Sequence, residues 1–167
     1  MTEEQARIRS YLKTQGARLS PAEVIDKVRA AMADLRRAAA AVPAARFDER
    51  PEPEEWSGNE VMAHVVDAGR HFGDQIIAIL DGRPGGAPPR ERTPGERRSA
   101  EEWSAILARD REALFARVGA VDPQAGLGET IEHPMFGPLT WRETMLFTRL
   151  HDLDHAGQLQ KIVAAFA

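Results

Sequence analysis

The stretch TWRETMLFTRLHDLDHAGQLQKIVAAF, residues 140–166, decides how this chain is read. Thr140 stands three residues ahead of Glu143. That is capping-box spacing: the hydroxyl accepts from a backbone N–H of the first turn, and the carboxylate accepts from the N–H of the capping residue. The spacing predicts a helix over 141–166. His151 and His155 are four apart on it, so both rings project from one face, which Thr144, Phe147, Thr148 and Gln158 share.

The same spacing recurs at Thr2 with Gln5, Ser20 with Glu23, Ser57 with Glu60, and Ser99 with Glu102. Together these predict a short leading helix over 3–14 and four main helices over 21–42, 58–80, 100–119 and 141–166. Pro21 suits a first helical position, where its missing N–H costs nothing. Val24, Val28, Met32, Leu35 and Ala39 form one apolar stripe at helical spacing. Val61, Val65, Phe72 and Ile76 form a second, and Trp103, Ile106, Leu107, Leu114 and Val118 a third. Pro43 and Pro51 close off the first main helix. No run alternates like a long strand; at most, residues 129–132 pair briefly before a turn at His133 and Pro134 and at Gly137 and Pro138. The fold class is all-α.

The 167 residues make one domain, 1–167, large enough to bury a core. There is no cysteine. Any metal must therefore be held by imidazole, carboxylate or water, and any thiol chemistry must use a thiol brought by a substrate. The net charge is −4, with no dense basic patch interleaved with aromatics, so nucleic acid is not an expected partner. No stretch has the apolar run of a membrane span, and the charged N-terminus lacks that of a secretory signal; the expected location is cytoplasmic. Residues 82–98 are rich in Gly, Pro and Arg and long for a helix–helix connection. A connection of that length lets the chain run back along a bundle and start the next helix parallel to the last. Arg83, Arg90, Arg92, Arg97 and Arg98 are read as solvating this loop in preference to flanking a pocket mouth.

The spacing of His151 and His155 suits two adjacent ligands on one metal ion. Two imidazoles on an inward face are costly unless hydrogen-bonded or metal-bound, and spacing alone leaves those two readings level. A third ligand comes from upstream, since residues 156–167 hold no His, Asp or Glu. His64 leads, early in its helix beside Val61, Val65 and Phe72. His71 lies two turns further along the same face with Asp67 between; whether either joins a metal stays open. For His71, and for His133 in a loop at the rim, an ordinary core or surface role is favoured. Asp67, Asp152 and Asp154 read as solvated or as supports for a ligand in preference to catalytic groups. His151-Asp152-Leu153-Asp154-His155 is close to the His-Glu-x-x-His of zinc proteases, but Asp is one methylene shorter and the downstream third ligand is absent. A di-iron bundle needs carboxylates from all four helices, which are not present in that pattern.

Three motifs carry a resemblance. WSGNEVMAH, residues 56–64, resembles the second-helix signature of the DinB-like superfamily, to which bacillithiol transferases belong. HPMFGPLT, residues 133–140, resembles the approach to its last helix, and HDLDHAGQ, residues 151–158, its closing motif. The resemblance covers about residues 20–166 and leaves residues 1–18 as an N-terminal extension. It implies an up-down-down-up four-helix bundle, with 82–98 as the crossover between the second and third main helices. It also implies a metal triad of His64, His151 and His155, with zinc or nickel typical of relatives. Characterised relatives are thiol-dependent S-transferases and isomerases using bacillithiol, mycothiol or glutathione; others are regarded as metal-dependent hydrolases.

Three neutral histidines leave a coordination position open to water or substrate, the arrangement of a catalytic site. The expected function is thus a metal-dependent enzyme acting on a small molecule, a low-molecular-weight thiol being one candidate co-substrate. Asp154 or Asp67 is expected to orient a ligating imidazole. Gln158, one turn past His155, is expected either to hydrogen-bond metal-bound water or to be a buried amide satisfied by backbone, and the two readings stand level. The alternative is a non-catalytic module in which His71 closes the metal shell. Relatives dimerise, and Ile77, Ile79 and Leu80 extend the apolar face of their helix, so a homodimer is expected.

Overall fold

Local capping sets where the helices begin. The computed structural model describes residues 1–86 and 95–167, and in it Thr2, Ser20, Ser57, Ser99 and Thr140 each form a complete capping box. The helices are α1 (Glu3–Arg18), α2 (Pro21–Ala41), α3 (Gly58–Leu80), α4 (Ala100–Ala120) and α5 (Trp141–Phe166), with a 3-10 turn at Ala44–Arg46. α1 runs four residues past the expected end at residue 14. Gly16 does not stop it: the helix stays packed on α5, and glycine is what fits there, since a Cβ would stand 2.7 Å from Glu143 Cγ. The middle of the expected crossover, with Arg90 and Arg92, lies outside the described residues.

α2 packs along α5 and α4, α3 packs along α4 and α5, and α1 lies on α5. Contacts along α3 and α4 advance together: Asn59 meets Trp103, Arg70 meets Asp110, and Asp81 meets Arg117. Along α3 and α5 they run oppositely, with His64 beside His155 and Phe72 beside Phe147. The core divides into two apolar clusters. One gathers Val24, Val28, Ile76, Leu114, Val118, Trp141 and Met145. The other gathers Leu35, Val61, Val65, Trp103, Leu107, Leu159 and Ile162. On α4 the switch between them falls at Arg111, and on α5 at the segment that carries His151, Asp152 and His155. Ile79 is buried, and the half-buried Ile77 and Leu80 pack against the first cluster.

β1 (Ile131–His133) pairs antiparallel with β2 (Gly137–Leu139), Ile131 opposite Leu139 and His133 opposite Gly137. The pairing thus starts later than the expected 129–132, and Gly137, expected in the turn, opens the second strand at φ +70°. The reason is burial: Ile131 and Leu139 are both in the core and set the register. From α1, Arg9 Nε donates to the Phe136 carbonyl at 3.1 Å, and Lys13 Nζ donates to the Pro138 carbonyl at 2.8 Å. No described helix is long and apolar enough to cross a membrane.

Asn59 joins α3 to the start of α4. Its Oδ1 accepts from Trp103 Nε1 at 2.7 Å and from the Arg98 N–H at 3.1 Å, and its Nδ2 donates to the Glu96 carbonyl at 2.9 Å. Asn59→Ala strands a buried indole N–H, at about 1–3 kcal/mol. Thermal unfolding should register this as a midpoint lowered by roughly 2–12 °C. A midpoint within about a degree of wild type would show that water replaces the amide at no cost.

Candidate metal centre

His64 is placed by the start of α3. Ser57 caps the helix, and Glu60 completes the box while accepting from Arg50 Nε and Nη2 at 2.8 and 2.7 Å. The Arg50 guanidinium, with the Ser57 contacts behind it, holds the Glu60 carboxyl down at about 2. One turn later His64 projects toward α5. Its Nε2 lies 3.1 Å from His151 Nε2, and His155 Nε2 lies 3.2 Å from the same atom. Among the described residues this is the only group of three or more His, Cys, Asp or Glu side chains with ligand atoms mutually within 4.8 Å.

The donor set fits a cation. His155 Nδ1 is 2.8 Å from Gln158 Oε1, which can only accept, so Nδ1 carries the proton and Nε2 presents a lone pair. His151 Nε2 can offer a single proton to one of its two neighbours. Hydrogen bonds between neutral imidazoles therefore cannot satisfy all three atoms, whereas one central cation can. Tetrahedral nitrogen ligands about 2.0–2.1 Å from zinc stand roughly 3.3 Å apart, close to the separations seen here.

The sequence of the chain matches the family model of the DinB superfamily over residues 6–159. The chain belongs to the DinB superfamily. The match takes in most of α1, the segment expected to be an extension. No curated protein and no solved structure matches the chain significantly.

Around this DinB-superfamily triad the walls are aromatic. Trp56 meets His64 edge-on with ring centroids 5.2 Å apart, and Phe72 and Phe147 each lie 6.0 Å from His151. A cavity of about 400 Å³ reaches the cluster, bordered by Trp56, His155, Gln158 and Lys161 with Glu54 and Glu55 at the rim. That volume suits a small molecule. A larger groove, about 760 Å³ between α2 and α4, touches none of the histidines.

The remaining expected site residues separate. Gln158 touches His155 directly. Asp154 is exposed, and Asp67 and His71 stand outside the convergent group. His71 Nδ1 is buried with no hydrogen-bond partner among the described residues. His133 sits at the end of β1, stacked on Phe136 at 4.8 Å and against Phe147 at 4.4 Å, and its Nδ1 accepts from the Met135 N–H at 3.2 Å. Burial lowers its pKa. Sequence reasoning missed Arg111, which grips Asp152, the neighbour of His151, with two bonds of 2.8 and 3.0 Å. The signal was present: Arg111 occupies the gap in the apolar stripe between Leu107 and Leu114, where a buried cation requires a buried anion.

Burial, followed by the charges of His155, His64 and Arg111, drives the His151 pKa from its ordinary 6.5 to about 3. Between those values the unfolded chain takes up a proton that the folded one refuses, so stability falls as pH falls through that window and gains nothing above it. Chelator-treated protein should therefore melt at progressively lower temperature from about pH 7 toward about pH 4. In His151→Asn the slope should be shallower; equal slopes would refute a neutral, buried His151.

Proposed function

We propose that this DinB-superfamily protein holds one divalent metal ion on His64, His151 and His155 and acts on a small molecule bound beside it, by transfer of a low-molecular-weight thiol or by hydrolysis. The observation that carries this is the convergence of three imidazole Nε2 atoms, of which that of His155 is left bare by the Gln158 contact. Zinc and nickel both suit imidazole ligands. When bound, the ion supplies Lewis acidity, lowering the pKa of a water or thiol that meets it.

The chain's own residues do the rest. Gln158 holds the proton on His155 Nδ1 and fixes that ring's orientation. Trp56, Phe72 and Phe147 surround the cluster with apolar rings, which lowers the local dielectric and strengthens any charge interaction made there. Lys161, Glu54 and Glu55 face the open side of the cavity and meet the polar end of a substrate. Since the protein contains no cysteine, a transferred thiol belongs to the substrate. The exposed Asp154 has no part in this scheme. A closed, non-catalytic site requires a fourth side chain, and His71 does not belong to the convergent group. The contacts along α3, α4 and α5 support an up-down-down-up order of the four long helices.

Metal analysis tests the triad. Wild-type protein exposed to zinc and desalted should retain about one equivalent, and His155→Ala should bind at least roughly tenfold more weakly while keeping its helical content, because the apolar clusters do not need the ion. Equal zinc content in the two proteins would overturn the assignment.

A further inference from the structure

The scheme above makes no use of the Arg111 and Asp152 pair. Such a pair is expensive. Taking two charges out of water costs several kcal/mol per ion, and apolar residues of similar volume are often at least as stable. Here the side chains are only 3% and 0% exposed. Stability does not account for it, but its location offers a reason.

α4 and α5 do not pack directly along their length; each lies instead against α2 and α3. Arg111 crosses from one to the other at mid-length, between the two apolar clusters. It passes Gly69 of α3, where an added Cβ would stand 3.3 Å from Nη2 and 3.5 Å from Nε. A glycine inside a helix costs about 1 kcal/mol relative to alanine, and this one leaves room for the guanidinium. Apolar packing above and below is non-directional, whereas a two-pronged guanidinium–carboxylate bond is directional.

On α5, Asp152 follows His151 by about 100° around the axis and lies about 60° from His155. Holding Asp152 toward α4 therefore sets where both histidines point. A ring nitrogen about 6 Å from the axis moves by about 1 Å for every 10° of helix rotation. Metal–ligand distances tolerate only about 0.2 Å.

We propose that the Arg111–Asp152 pair, in the space left by Gly69, is a positioning device that fixes the rotation of α5 so that Nε2 of His151 and His155 meet that of His64. This rests on metal binding by the triad. The test pairs the apolar replacement Arg111→Met with Asp152→Leu in one protein, beside the conservative Arg111→Lys, and uses zinc competition titration and the visible absorption of cobalt-loaded protein. The double variant should fold with a thermal midpoint at or above that of wild type. It should bind zinc at least roughly tenfold more weakly and show altered cobalt bands. A folded double variant with wild-type zinc affinity and cobalt spectrum overturns the proposal. If the double variant does not fold, Arg111→Lys decides: it keeps the charge but loses the fork, so zinc affinity should drop at least about threefold, and an unchanged affinity overturns the proposal. Wild type that retains no more zinc than His155→Ala refutes the triad itself, and the positioning role with it.

Discussion

The ring nitrogens of His64 and His155, each crowded to little more than 3 Å from that of His151, are the constraint on which the rest of this structure turns. Lone pairs repel, and hydrogen bonds among the three neutral rings alone cannot satisfy all three atoms together. The surrounding architecture resists that repulsion: the arginine-braced cap of α3 behind His64, the amide of Gln158 behind His155, and the aromatic rings of Trp56, Phe72 and Phe147 around them. Two of the nitrogens come from one helix and one from its antiparallel neighbour, so the geometry tolerates little sliding or rolling of α5 against α3.

Much of this was legible in the chain. The five helix starts could be read because a capping box is a local interaction complete within four residues. His151 and His155 could be paired because four-residue spacing fixes a shared face whatever surrounds it. His64 could be chosen over His133 because it rides beside an apolar stripe. What escaped reading depends on partners far along the chain. Whether Asp152 or Asp154 points inward turns on a rotation that the pattern of α5 leaves ambiguous; Asp152 proves buried and Asp154 exposed. The extra turn of α1 lies against α5, a partner far along the chain. Ile79 read as part of an open apolar face because most of the cluster that buries it comes from other helices. Arg111 was visible only as a break in its stripe, and its meaning needed Asp152 beside it.

The division of the core follows from the same facts. A polar stratum at mid-length cannot be greased over, so the apolar residues segregate toward either end and Met32 alone on α2 bridges the two sets. Each end holds the helices together without regard to the other, and the stratum between them sets their angular relation.

The hairpin presents a different kind of economy. Arg9 and Lys13 hold it by the carbonyl oxygens of Phe136 and Pro138, groups that every residue carries. Those two bonds to α1 are therefore indifferent to which side chains positions 136 and 138 bear. A change of side chain at either position leaves its carbonyl available to the same cation, so this part of the tether is written in the backbone and outlasts substitution.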